Sequence, residues 1–160
     1  MTLPQYELHN QLAEDTETVG SLDLCDVLMH KDTRTPWLIL VPKRANIREI
    51  HHLEMPDQLQ LMKESSAVAQ AMEDAFQPDK LNVASLGNMV PQLHVHVVAR
   101  REGDIAWPGP IWGVGGAEES MADMEVIKRQ WEVMRGVLME ARTLLESTKG
   151  SLKLKIPKKS

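Results

Sequence analysis

The stretch Val90-Pro91-Gln92-Leu93-His94-Val95-His96-Val97-Val98 decides how this chain is read. Side chains of a β-strand alternate between its two faces. Leu93, Val95 and Val97 then point into a core, and Gln92, His94 and His96 point the other way. Next-but-one neighbours on such a face lie about 7 Å apart. Polar groups on an apolar strand need partners, because each one buried and unpaired costs about 1–3 kcal/mol. Three readings fit. The histidines can sit on the solvated face of an edge strand. They can form a His-x-His metal pair, in which case zinc or iron needs a third ligand. Or one of them can be a nucleophile toward phosphorus, since imidazole is available in its neutral form near neutral pH. That chemistry needs one ring nitrogen held by a hydrogen bond, donors for the phosphate oxygens and an acid for the leaving group.

Working outward, the pattern alternates strands and helices. Val19 to Leu24 and Val27 to His30 read as short strands, separated from the next by the polar turn Lys31-Asp32-Thr33-Arg34-Thr35-Pro36. Trp37-Leu38-Ile39-Leu40-Val41 is a continuous apolar run of the buried kind, which Pro42 is expected to end. Pro56 suits the first turn of a helix whose apolar face is read as Leu59, Met62, Ala69, Met72 and Phe76. Leu81 to Leu86 and Leu93 to Ala99 read as strands, and residues 100–117 as a loop rich in Gly, Pro and Trp. Ser120 with Asp123 resembles a capping box, and Met124, Ile127, Trp131, Met134, Leu138, Ala141 and Leu145 form a helical stripe over about 120–147. The order predicts an α+β fold with a mainly antiparallel sheet, one central helix and a long C-terminal helix.

The 160 residues suit one domain, read as 1–148, followed by a basic tail at 149–160. That tail holds five lysines and no acid, so the rest of a chain of net charge −5 carries −10. Such a balance argues against general nucleic-acid binding. The single cysteine, Cys25, cannot make an internal disulfide, and without a CxxC pair a thiolate zinc site is not expected. A reducing, cytoplasmic setting fits this usage. The first residues have no basic segment followed by an apolar run, so they are not read as a signal peptide. No run is long enough to span a bilayer.

The segment Asn82-Val83-Ala84-Ser85-Leu86-Gly87-Asn88-Met89-Val90-Pro91-Gln92-Leu93-His94-Val95-His96-Val97-Val98-Ala99-Arg100 resembles the signature of the histidine triad (HIT) superfamily. Leu38 to Arg44 is similar to that family's strand ending in Val-Pro-Lys, and the likeness covers roughly residues 17–113. It implies a HIT-like fold, a homodimer, no cofactor, and hydrolysis or transfer at the α-phosphate of a purine nucleotide conjugate, as in diadenosine tetraphosphate hydrolases. By that resemblance His94 falls on the nucleophile, and His96 on the histidine that assists phosphate binding and proton delivery. Asn88 falls on the phosphate-binding turn residue, Asn82 on a supporting Asn and Asp32 on a ribose contact. Gln92 replaces the first histidine: it can orient a neighbour by hydrogen bonds but cannot take a proton. Trp37 stands where many members have histidine. Trp107 and Trp112, around Pro108-Gly109-Pro110, are candidates for a lid or base-stacking wall. Two alternatives stay open: a non-catalytic nucleotide-binding module, and a metal-dependent enzyme using His94 and His96.

Overall fold

The computed structural model describes residues 2–149. In chain order it contains α1 (Asn10–Asp15), β1 (Thr16–Ser21), β2 (Cys25–His30), β3 (Trp37–Pro42), a 3-10 turn at Ile50–His52, α2 (Met55–Phe76), β4 (Lys80–Ala84), β5 (Val95–Arg100), α3 (Ala117–Ala122) and α4 (Met124–Thr148). The strands form one sheet in the order β1-β2-β3-β5-β4, and every neighbouring pair is antiparallel. The expected α+β class is what the chain adopts. None of the described helices is long and apolar enough to cross a membrane.

The strand β3 explains the two-sided architecture. All six of its residues are buried, as a continuous apolar run requires when both faces are covered. Leu38 and Leu40 join Val95 and Val97 in the core beneath α2 and α4. Trp37, Ile39 and Val41 join Val98 in a second cluster on the opposite face, covered by Leu12, Val90 and Ile111. The strand ends at Pro42, as expected, with Pro42 itself paired to Cys25 as the last residue of the ladder.

The face of α2 differs from the stripe read in the sequence. Leu59 and Met62 are 58% and 67% exposed, whereas Leu61, Glu64, Ala67, Val68, Ala71 and Met72 are buried. Met72 is buried and Ala69 and Phe76 pack against the core, as read; the departure is confined to the first turns, where Leu61 and Glu64 take the inward positions given to Leu59 and Met62. Glu64 is fully buried because it has a task. Its Oε1 accepts from the Cys25 backbone N–H at 2.8 Å, and its Oε2 accepts from Leu24 N–H at 2.9 Å and from Gln60 Nε2 at 2.8 Å. The carboxylate thus fastens the β1–β2 turn to α2. Glu64→Ala strands both backbone donors, at about 1–3 kcal/mol each. A loss of about 3 kcal/mol or more in urea denaturation is the expected result; a loss under about 1 kcal/mol contradicts this account.

The helix α4 begins one element later than the capping-box reading. Ser120 lies inside α3, where its Oγ accepts from the Thr33 N–H. Asp123 is the cap of α4, accepting from Val126 N–H at 3.2 Å. The helix buries Ile127, Met134, Val137, Leu138 and Ala141. Met124, at the head of the sequence stripe, is 61% exposed. Gly20 lets α4 approach β1: a Cβ there would lie 2.6 Å from Leu138 Cδ2. The Lys-rich stretch from residue 150, and the Gly150 stop, lie outside the described residues.

Candidate functional site

With α2 and α4 on one face of the sheet, the histidines emerge on the other. The register sets Ile39 opposite His96 and Trp37 opposite Val98. His30, at the end of β2, stacks on Trp37 with ring centroids 4.1 Å apart and planes within 12°. A cleft of about 340 Å³ opens over these residues. Its walls include Leu12 and Asp15 from the N-terminal segment, Asn88 from the turn after β4, and Trp112 from the loop after β5. His94 and His96 form its floor, each 6% exposed, with ring centroids 4.8 Å apart.

Two hydrogen bonds fix the tautomers. The Nδ1 of His94 lies 2.7 Å from the Gln92 main-chain carbonyl. A carbonyl can only accept, so Nδ1 carries the proton and Nε2 keeps its lone pair. Trp37 Nε1–H donates to Nδ1 of His96 at 3.0 Å. An indole N–H can only donate, so His96 is protonated on Nε2. The two rings therefore present opposite chemistry: one a free lone pair, the other an N–H donor. His30 Nδ1 accepts from the Asp32 N–H at 3.0 Å, which likewise leaves its proton on Nε2.

Burial keeps these rings neutral. Desolvation lowers the pKa of His94; the Gln92 carbonyl opposes this and the nearby His9 adds to it. His96 falls from 6.5 to about 3 through desolvation, then through the like charges of His94 and His30. Desolvation also lowers His30. A ring whose pKa is depressed on folding binds fewer protons folded than unfolded, so stability falls as pH drops below 6.5. For His96 the window runs from 6.5 to about 3. At about 1.4 kcal/mol per pH unit, His96 alone costs about 2 kcal/mol between pH 6.5 and pH 5. Urea titrations at the two pH values are expected to show that loss, and His96→Asn to remove most of its share. Equal stability of the wild type at both values contradicts neutral, buried rings.

The structure gathers some of the residues singled out in the sequence and separates others. His94, His96 and Asn88 share the cleft. Gln92 holds the His94 ring through its main chain, but its side chain lines a separate depression with Gln5, Glu7 and Asn46. Asn82 lies outside the cleft lining, with its Oδ1 accepting from Arg100 Nη1 at 2.9 Å. Asp32 also lies outside it, in a two-oxygen ion pair with Arg34. Burial raises the Asp32 pKa, but the bonds and charge of Arg34 outweigh that and hold it below the usual value. Trp107 lies against the Arg100 guanidinium, 5.7 Å from ring centroid to Cζ.

Trp112 is the tryptophan of that loop that reaches the cleft. It meets His96 edge-on at 5.2 Å and Trp37 at 6.0 Å, and its buried indole N–H has no partner among the described residues. The residues that went unread were His30, Leu12 and Asp15. No local signal marks them; pairing between distant strands and the fold-back of the N-terminal segment bring them in. Lys43 donates to the Leu22 carbonyl and Arg44 pairs with Asp57, so both basic residues have structural partners. Among the described residues, no group of three His, Cys, Asp or Glu side chains could hold a metal ion. The His-x-His pair therefore has no third ligand of those types there.

No curated protein matches the chain. Solved structures do. A histidine triad protein from Bradyrhizobium japonicum is 47% identical with a TM-score of 0.69, over 79% of this chain and 98% of that one. One from Marinobacter aquaeolei VT8 is 43% identical with a TM-score of 0.73, over 90% and 98%. A third, from Sinorhizobium meliloti 1021, is 41% identical with a TM-score of 0.74, over 84% and 96%. The family model described as HIT domain matches residues 11–103, more than half of the chain, and with these relatives it shows that the protein belongs to the HIT family.

Proposed function

We propose that this protein is a nucleotide phosphohydrolase or nucleotidyl transferase. It acts at the α-phosphate of a purine nucleotide conjugate through a nucleotidyl-His94 intermediate. The observation that carries the reading is the pair of opposed tautomers: a free Nε2 lone pair on His94 beside an Nε2–H on His96. In the first step Nε2 of His94 attacks phosphorus. The N–P bond forms, the bond to the leaving oxygen breaks, and that oxygen takes the electron pair. The His94 ring becomes cationic while its Nδ1–H still points at the Gln92 carbonyl, which stabilises the charge. Nε2–H of His96 donates a hydrogen bond to a phosphoryl oxygen. A neutral His96 cannot give that proton away without becoming an anionic ring, so the leaving oxygen takes its proton from water. A second water, or an acceptor hydroxyl, then attacks phosphorus, its proton passes to the hydroxide left by the first water, and the N–P electrons return to His94.

The cleft suits a nucleoside. Trp37, Trp112, Leu12 and Ile39 offer an apolar, aromatic wall beside Asn88 and Asp15. The first triad position supports rather than opposes the reading. Its main-chain carbonyl orients His94, and a glutamine has the same carbonyl as a histidine. We take the Gln-x-His-x-His sequence as a diadenosine tetraphosphate hydrolase-like variant, and residues 1–148 as one HIT unit. A homodimer belongs to the same reading. The edge strand β4 carries Val83 at 52% exposure, and α2 leaves Met55, Leu59 and Met62 exposed; sedimentation equilibrium measures the mass.

The test is to mix the protein with an adenylyl conjugate labelled at the α-phosphate, quench without acid and locate the label by mass spectrometry. Label on His94 is expected. Turnover with no trapped label, and with unchanged rate in His94→Asn, sinks the covalent route. Binding of AMP without any turnover would instead favour a nucleotide-binding module.

A further inference from the structure

The cleft has a polar end that the proposed chemistry does not use. Asp15, His30, Trp37 and His96 all line it, and they lie across the sheet in strand order. Asp15 immediately precedes β1, His30 ends β2, Trp37 begins β3 and His96 lies on β5. Thr16 pairs with His30, and the Lys31 N–H donates to the Asp15 carbonyl at 2.9 Å, so Asp15 and His30 stand on neighbouring strand ends. His30 and His96 are two strand spacings apart, about 10 Å across the sheet. Trp37 fills the interval, stacked on His30 at 4.1 Å and tilted against His96 at 5.7 Å. The interval is within the reach of a nucleotide measured from its phosphorus to the far edge of its base.

Each of the two residues at that end has one polar function left. His30 has Nδ1 taken by the Asp32 N–H and one ring face covered by Trp37, so Nε2–H is its remaining donor. Asp15 Oδ2 accepts from Gln11 Nε2 at 3.0 Å, which leaves Oδ1 as the open oxygen. The pair thus offers one donor beside one acceptor. Adenine presents the complement on its N7 edge: a ring-nitrogen acceptor next to the exocyclic amino donor. Guanine presents two acceptors on the same edge, N7 and O6, and its O6 would face the carboxylate.

We infer that Asp15 and His30 read the nucleobase and select adenine. Oδ1 of Asp15 accepts from the exocyclic amino group, and Nε2–H of His30 donates to the neighbouring ring nitrogen. The inference names the base for the proposed action at a nucleotide phosphate, and it rests on that reading.

Calorimetry with AMP, GMP and purine riboside 5′-monophosphate, which is AMP without its amino group, tests it. The wild type is expected to bind AMP about tenfold tighter than either of the others, the value of a hydrogen bond to a charged group. Asp15→Ala should bring AMP down to the level of the purine riboside compound and leave that compound unchanged. His30→Phe keeps a ring on Trp37 but has no donor, so it should weaken both by about fivefold. Equal wild-type affinity for AMP and the purine riboside compound overturns the inference without any variant, as does GMP binding as tightly as AMP. An equal weakening of AMP and the purine riboside compound in Asp15→Ala assigns Asp15 to the sugar and overturns it too. A wild type that binds none of the three sinks the nucleotide reading, and this inference with it. A wild type that binds AMP with no dependence on the amino group sinks the inference alone.

Discussion

In His94→Asn, kcat on an adenylyl conjugate falls by on the order of 10⁴-fold or more, while the affinity for AMP changes little. The asymmetry is the informative part. Asn at 94 can still donate to the Gln92 carbonyl from its amide, so the local main chain keeps its partner. What disappears is the lone pair that attacks phosphorus, and neither of the other imidazoles of the cleft, His96 and His30, supplies another. His96 has Nδ1 occupied by the Trp37 indole and a proton on Nε2. Its lone pair is already engaged at 3.0 Å on the side away from its N–H. His30 is in the same state, with Nδ1 accepting from Asp32. The site thus holds several imidazoles but one free lone pair among them, on His94. A His94→Asn protein within tenfold of wild type would mean that water attacks directly, and the covalent scheme would fail.

How much of this was legible in the sequence follows from what each feature depends on. The alternation of apolar and polar residues along β5 is local, so His94 and His96 were assigned to one face, and Val95 and Val97 to the other. Gln92 departs from the rule because its amide is taken up by the Glu7 carbonyl and the His9 N–H, contacts with a segment more than 80 residues away that the sequence does not show. The hydrophobicity of β3 gave its burial on both faces. The tautomers were not legible, because Trp37 and His96 meet only through strand pairing across 59 residues. Glu64 was invisible for another reason. A charged residue in a helix is read as a solvated position, and only the pair of backbone donors at Leu24 and Cys25 makes its burial favourable. The same blindness hid Arg100, which looks like half of an exposed Arg100-Arg101 pair and is 1% exposed.

Asp104→Ala is expected to destabilise the protein by about 3–5 kcal/mol, because it leaves the Arg100 guanidinium buried without its counter-charge. The pair is held by two bonds, Nε to Oδ2 at 2.6 Å and Nη2 to Oδ1 at 2.9 Å. Arg100 also donates to Asn82 Oδ1 and to the Gly109 carbonyl, both at 2.9 Å. Asp104 Oδ1 in turn accepts the N–H groups of Ala106 and Trp107 at 3.0 and 2.9 Å. The cluster therefore joins β4, β5 and the loop that carries Ile111 and Trp112 to the cleft. The Arg100 bonds hold the Asp104 carboxyl well below its ordinary value, against the opposing effect of burial. A depressed carboxylate contributes stability above its unfolded pKa of about 3.9 and loses it as pH falls toward the folded value. The effect of Asp104→Ala should thus be largest near neutral pH and shrink in strong acid, opposite in cause to the histidine penalty that begins below 6.5. Arg100→Met separates charge from packing: it removes the buried cation and keeps the aliphatic stem, so it should cost less than Asp104→Ala. Guanidinium denaturation of both variants at neutral pH decides the order. If the two losses are equal, the buried guanidinium is not what Asp104 compensates. If Asp104→Ala costs less than about 1 kcal/mol, the cluster does not anchor the loop that closes the cleft over His96.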